Sequence, residues 1–187
     1  MTKLHPNGSI EGLGGLTVED FWSWAYSDLL SNVNRSRFAE FLVASALGLL
    51  DTPRIEWDGV DLRYRGHGIE VKAAAYLQSW TQAAPSVIRY DIAEKRGWDP
   101  HTNTYAPRPV RSADCYVFCL FPATDLDSAY QRILDTDVWE FYVLPTKQLE
   151  LEFGDQKSVG LKAIQKVAPM VRYRDLKHQI DWAIAYR

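Results

Sequence analysis

The chain is poor in cysteine, in excess positive charge and in long apolar runs, and each shortage removes a class of function. Only two cysteines occur in 187 residues, Cys115 and Cys119 in "DCYVFCLF". At strand spacing they share one face, and two thiols with no third or fourth ligand argue against structural zinc. They are expected as buried hydrophobes in a reducing compartment. No apolar stretch approaches a membrane span, and "MTKLHPNGSIEGLGG" lacks the apolar centre of a signal peptide. A soluble, cytoplasmic protein with no membrane contact is therefore expected. The formal net charge is −3, which leaves no broad basic footprint for nonspecific nucleic-acid binding. A local basic rim around an acidic centre stays compatible with that balance. Internal repeats and low-complexity tracts are absent as well.

What is present suits one globular domain with a real core: 47% hydrophobic and 24% charged residues. Residues 1–16 are expected as a flexible, Gly-containing arm and 17–187 as the domain. In "TVEDFWSWAYSDLL", Thr17 suits an N-cap with Asp20 three later, and Phe21, Trp22, Ala25, Leu29 and Leu30 make one helical stripe. At that spacing the aromatics are expected in the core. A second helix, in "NRSRFAEFLVASALGLL", starts near Asn34 or Ser36 and is apolar nearly all round, so it is expected to be buried on most sides. Glu40 is the one carboxylate in its apolar stretch. A buried acid needs a cation, a metal or strong hydrogen bonds, and Arg37, three residues earlier, is the nearest partner.

Further on, "SVIRYDI", "DCYVFCLF" and "VWEFYVLP" have the pattern of strands, and "LDSAYQRIL" and "RDLKHQIDWAIAYR" that of helices. The order predicts a mixed α/β domain of the α+β type, built on a central sheet flanked by helices. Residues 93–112 contain three prolines and no period. A loop of that length is functional, mobile or merely solvated; it holds Lys95 and Tyr105 and offers Arg96, Trp98, Arg108 and Arg111 as candidate nucleic-acid contacts.

The chemistry concentrates in "DLRYRGHGIEVKAAAYLQSW", residues 61–80. With Gly66-His67 as a two-residue turn, Arg65 faces Gly68, Arg63 faces Glu70 and Asp61 faces Lys72. One side of the ribbon is then apolar, and the other carries Asp61, Arg63, Arg65, Glu70 and Lys72. In this register Asp61, Glu70 and Lys72 converge at the open end of the hairpin. Two such carboxylates suit a hard divalent cation, Mg²⁺ or Mn²⁺, which polarises a phosphodiester and activates water. A lysine beside them holds that water or offsets charge growing on the phosphate. The competing reading is a solvated strand face with cross-strand ion pairs. Against it, Ala73, Ala74 and Ala75 continue the strand without a turn signal, Glu40 lies just upstream on a buried helix, and Gln78 supplies a polar group downstream. His5, His101 and His178 are too dispersed for a metal site, and His67 is expected to be solvated at the turn. Trp22, Trp24, Trp57, Trp139 and Trp182 are expected to pack; Trp80, like Trp98, is a candidate for base contact.

The series "RFAEF", "DGVDL", "IEVKAA" and "YLQSW", within residues 37–80, resembles the PD-(D/E)xK, or restriction-endonuclease-like, nuclease superfamily, especially its small prokaryotic members with an acid on the first core helix. The resemblance implies an αβββαβ core with a mixed sheet and a Mg²⁺- or Mn²⁺-dependent nuclease acting on DNA. Asp61 matches the first metal-binding acid, Glu70 the second and Lys72 the catalytic lysine. Glu40 matches the helix acid, Gln78 a downstream polar position, and the Val71 carbonyl is a candidate accessory group at the metal. The chain departs from the pattern where Val60 stands in place of proline, and Asp58 competes for the role of first acid. Arg63 and Arg65 are candidates for phosphate contact. A homodimer is admissible. Two other classes stay open from the residues: a noncatalytic nucleic-acid-binding or assembly module on the same fold, and an interaction protein with a merely solvated hairpin.

Overall fold

The computed structural model describes residues 2–99 and 102–186; His101 lies outside them. Residues 2–16 form turns that bond back onto the start of the first helix, with Val18 donating to the Gly8 carbonyl and a bridge between Ser9 and Thr17. That helix, α1 (Val18–Tyr26), begins as its sequence predicts, with Thr17 and Asp20 closing a capping box. It ends before Leu29, and none of its residues is buried. The expectation that its aromatics fill the core fails: Phe21 is 46% and Trp24 85% exposed, and only the following Leu30 reaches the interior. A nine-residue helix at the margin of the fold has too few neighbours to cover both Trp faces. Trp57 and Trp182 also stand in solvent, whereas Trp139 is fully buried and donates to the Ile133 carbonyl.

Helix α2 (Asn32–Leu47) starts at an Ser31 N-cap, earlier than its apolar pattern suggests. The early turn is held by Arg35, a buried cation that serves the Leu30 carbonyl at 2.7 Å and the Gln78 side chain at 3.1 Å. Gly48, at φ 71°, ends the helix in the left-handed conformation that a C-terminal glycine makes accessible.

The hairpin follows as β1 (Leu62–Tyr64) and β2 (His67–Ala75). Its turn is Arg65-Gly66, not Gly66-His67; both residues have positive φ, 52° and 83°, the signature of a type I′ connection. Glycine belongs at the second position of such a turn, which the alternative would have given to His67. Leu62 therefore opposes Ile69, Arg63 opposes Gly68 and Tyr64 opposes His67. A shift of two residues leaves the residues of β1 and β2 on their expected faces, but Val60, just before β1, packs with Ala74 and Tyr116 instead of with Ile69 and Val71. The same register carried one residue back sets Asp61 opposite Glu70 rather than Lys72. Arg65 moves off the charged face into the turn.

Between the hairpin and the next long strand lie two short ribbons. β3 (Arg89–Asp91) pairs with a later strand, and β4 (Trp98–Asp99) pairs with β5 (Thr104–Tyr105) inside the expected loop. β6 (Cys115–Phe121) has all seven residues buried and runs parallel to β2, with Glu70 beside Tyr116 and Lys72 beside Phe118. α3 (Leu126–Arg132) leads to β7 (Glu140–Pro145), antiparallel to β6. α4 (Thr146–Phe153), β8 (Ser158–Gly160), α5 (Leu161–Val167), β9 (Met170–Val171) and α6 (Tyr173–Ala185) complete the chain. The result, among the described residues, is a mixed α/β fold with six helices around a five-stranded mixed sheet, β1-β2-β6-β7-β9.

Alternation divides the interior in two. Ile69, Val71, Cys115, Val117, Phe141 and Val143 pack with α2 and α6 through Leu42, Val43, Leu176 and Ile180. The opposite residues, Ala74, Tyr116, Phe118, Leu120 and Tyr142, pack with Leu149 of α4, Ile164 of α5, and Tyr90 and Val159 of the β3–β8 ribbon. Glu70 and Lys72 belong to this second face, at its rim. No helix among the described residues is long and apolar enough to cross a membrane.

Candidate functional site

Asp61 sits just before β1, and its carboxylate accepts the Val71 backbone N–H at 2.8 Å. This bond ties the first acid to the strand that carries Glu70 and Lys72. Those two form an ion pair, and each side chain is only 17% exposed, far from a solvated strand face. Burial pushes the Asp61 carboxyl above its ordinary range; the Val71 N–H opposes the shift and the negative charge of Glu40 adds to it. Burial likewise raises the Glu70 carboxyl, with Lys72 opposing and Asp61 adding. Glu40 thus raises Asp61 and Asp61 raises Glu70, and a chain of acids held out of water demands positive charge nearby.

Glu40, 7% exposed on α2, meets that demand locally through Arg54, whose Nη2 donates to one carboxylate oxygen at 3.0 Å while Nε serves the other. Arg37 is not its partner: that guanidinium lies over the Tyr26 ring, 5.7 Å from its centre. Asp58 turns to Arg63, at 2.6 and 2.9 Å, and this pairing holds its carboxyl below the usual range. Asp61, not Asp58, is thus the acid whose charge is felt at Glu70.

A second wall comes from residues that sequence periodicity does not mark. Asp91 of β3 and Lys95 form an ion pair at 2.8 Å, and both line a small cleft with Glu70, Lys72, Ser112 and Tyr116. Lys95 and Val110 exchange backbone hydrogen bonds of 3.1 and 3.0 Å, so the 93–112 segment is pinched at its base beside the carboxylates. Burial works to raise the Asp91 carboxyl, but the bonds from Lys95 and the Ala93 N–H outweigh it and the net shift is downward. The only linear signal for this wall is the cationic content of the loop.

The other candidates are scattered. Gln78 is buried, but it is bonded to Arg35, the Ala75 carbonyl and Ser86 rather than to the acids. Arg111 straps the Ile92, Gly154 and Gln156 carbonyls together, and Arg96 serves the Ala106 carbonyl. Both have structural duties. Trp98 packs edge-on to Tyr105 at 4.9 Å, Arg65 reaches Asp181 at 3.3 Å, and Trp80 and Arg108 are exposed. His67 opens β2 instead of capping the turn, 3.4 Å from the Asp114 carboxylate.

No protein-family model matches the chain, and no curated protein matches it significantly. Among the described residues, no group of three His, Cys, Asp or Glu side chains is placed to hold a metal ion by itself. The donors that do adjoin, Asp61 and Glu70, offer only hard oxygen. That fits an ion such as Mg²⁺, which binds through one or two carboxylates and leaves its other positions to water and substrate.

Proposed function

We propose that this chain is a divalent-metal-dependent nuclease of the restriction-endonuclease-like kind, hydrolysing phosphodiester bonds in DNA. The observation that carries the reading is the joint burial of Asp61, Glu70 and Lys72 on one hairpin, with both carboxyls raised by that burial. A solvated hairpin face would not desolvate two acids, and a binding module has no need to crowd them together. The chain order also supports it: α2, β1, β2, β6, α3 and β7 follow an αβββαβ sequence when the ribbons between β2 and β6 are treated as insertions.

In this reading Asp61 and Glu70 hold Mg²⁺ or Mn²⁺, with Glu40 as a further acid and the Val71 carbonyl as an assisting group. The ion supplies Lewis acidity at the phosphate and a more acidic water. The protein's own part is positional. The Val71 N–H fixes the Asp61 carboxylate, and Glu70 holds the Lys72 ammonium at the rim of the second core. Lys72 then donates toward the phosphate oxygens, where negative charge grows as the bond to the attacking oxygen forms. Lys95 brings a second positive charge to the same cleft.

The test is cleavage of a DNA and RNA panel with Mg²⁺ or Mn²⁺ by the wild type, Glu70→Ala and Lys72→Ala. DNA cleavage that requires metal and is lost in both variants is the expected result. A wild type that neither cleaves nor binds metal in a calorimetric titration would overturn the proposal.

A further inference from the structure

A second, roomier cavity is lined by Asp61, which the small cleft does not include. It measures about 500 Å³ and opens between α2, the 49–55 segment and the free edge of β1. That volume belongs to the range of small-ligand sites, roughly 300–1,000 Å³. Its walls are mainly apolar, and two large side chains face outward within it: Phe41, 49% exposed, and Ile55, 56% exposed. Its inner end is formed by Glu40 and Asp61, so it is continuous with the candidate metal acids.

Its mouth is positively charged in a specific way. Arg37 is half-buried there with no carboxylate partner among the described residues, its one contact being the Tyr26 ring. Lys3 reaches in from the N-terminal segment, and among the described residues its ammonium donates to the Leu50 carbonyl and to no carboxylate. Two cations without counter-ions beside an apolar chamber with an exposed aromatic wall match the parts of a nucleotide: a flat apolar base and an anionic phosphate. A base still paired in a duplex is unavailable to such a chamber.

Resting on the nuclease reading, we infer that this cavity receives an unpaired nucleobase against Phe41, with Arg37 and Lys3 on the phosphates of the same strand. The substrate class is therefore single-stranded DNA, or a duplex from which one nucleotide is turned out. The cavity holds the base while the adjoining acids face the neighbouring phosphodiester.

The test is binding, kept separate from cleavage. Fluorescence anisotropy is measured in Lys72→Ala protein, so that the probe survives, with a labelled single-stranded oligonucleotide, its abasic counterpart, the matching duplex and a duplex with one unpaired base. Phe41→Ala and Ile55→Asp are added in turn; both positions are exposed, and thermal melts check that the fold persists. The expected result is tighter binding of the single strand and of the unpaired-base duplex than of the plain or abasic probes. Phe41→Ala should weaken that preference at least about fivefold, the low end for loss of one base–aromatic stack, and Ile55→Asp should also weaken it by charge repulsion. Equal binding of all four probes, no binding, or affinities unmoved by both substitutions would overturn the inference. Wild-type cleavage combined with unmoved affinities overturns the cavity's role alone. Cavity-dependent binding by a wild type that neither cleaves nor binds metal overturns the nuclease reading alone.

Discussion

The Asp61 carboxylate and the Val71 backbone N–H are joined at 2.8 Å, so the first acid is anchored by the strand that presents the second. Asparagine at 61 keeps an acceptor for that N–H and removes the buried charge; alanine removes both. Asp61→Asn is therefore expected to melt at or above the wild type. Asp61→Ala should lose about 1–3 kcal/mol for the donor left unsatisfied. Both should abolish cleavage. Urea denaturation beside the activity assay separates the anchoring role from the chemical one.

Glu70 and Lys72 form a pair that is mostly out of solvent. Removing Lys72 alone strands the Glu70 carboxylate, so Lys72→Met should cost about 1–3 kcal/mol in metal-free buffer. Replacing both residues, Glu70→Gln with Lys72→Met, should restore most of that stability, since an apolar replacement of a buried pair is often neutral. Activity should stay absent in both. A double-mutant cycle on stability checks the sign of the coupling.

The raised carboxyls of Asp61 and Glu70 set a pH dependence. Between the ordinary values, 3.8 and 4.5, and their higher folded values, the folded chain holds more protons than the unfolded one. Their contribution to stability therefore falls as pH rises through that window and levels off above it. Chelator-treated protein should show this decline in melting temperature, and Glu70→Gln should flatten it. Added Mg²⁺ should raise the melting temperature more at pH 8 than at pH 5, where protons compete for the same oxygens. An equal rise at both pH values would contradict the assignment of these acids as ligands.

Gly68 explains why the hairpin keeps its register. A Cβ there would stand 2.8 Å from the Val60 side chain and 3.4 Å from the Ala113 Cα. Gly68→Ala must push Val60 aside, and Asp61 with it. A loss of about 1–3 kcal/mol is expected from the overpacking, together with at least tenfold weaker metal binding. Calorimetric titration of the folded variant distinguishes a displaced acid from a merely less stable chain.

Much of this architecture is written locally. The Thr17–Asp20 capping box, the all-apolar β6, the largely apolar β7, and the alternation of residues 61–72 each declare themselves within a few residues. The turn lies one residue earlier than the Gly66-His67 pair suggests, and such a two-residue change of register keeps the strand residues on their faces. What the sequence hides is whatever depends on distant neighbours. The aromatics of α1 have the spacing of a buried stripe, but Phe21 and Trp24 stay exposed and Tyr26 meets the Arg37 guanidinium instead of an apolar face. Arg54 replaces Arg37 as the partner of Glu40 because the segment after α2 turns back on the helix, which no periodicity encodes. Asp91 and Lys95 reach the carboxylates only through the pairing of β3 with β8, a contact spanning about a third of the chain. Gln78 has the chain position of a site residue, but its buried amide braces Arg35.

The parallel pairing of β2 with β6 bears on how the protein is made. β1 and β2 adjoin along the chain and close over a two-residue turn, a microsecond event. β6 must instead be brought back across the whole 76–114 segment, and such non-local pairing is entropically slow. A growing polypeptide therefore carries Asp61, Glu70 and Lys72 as wet, widely hydrated charges until β6 docks and Tyr116 and Phe118 close around them. Whatever reactivity these groups have is acquired with a long-range contact of the sheet, and not with the emergence of the residues themselves.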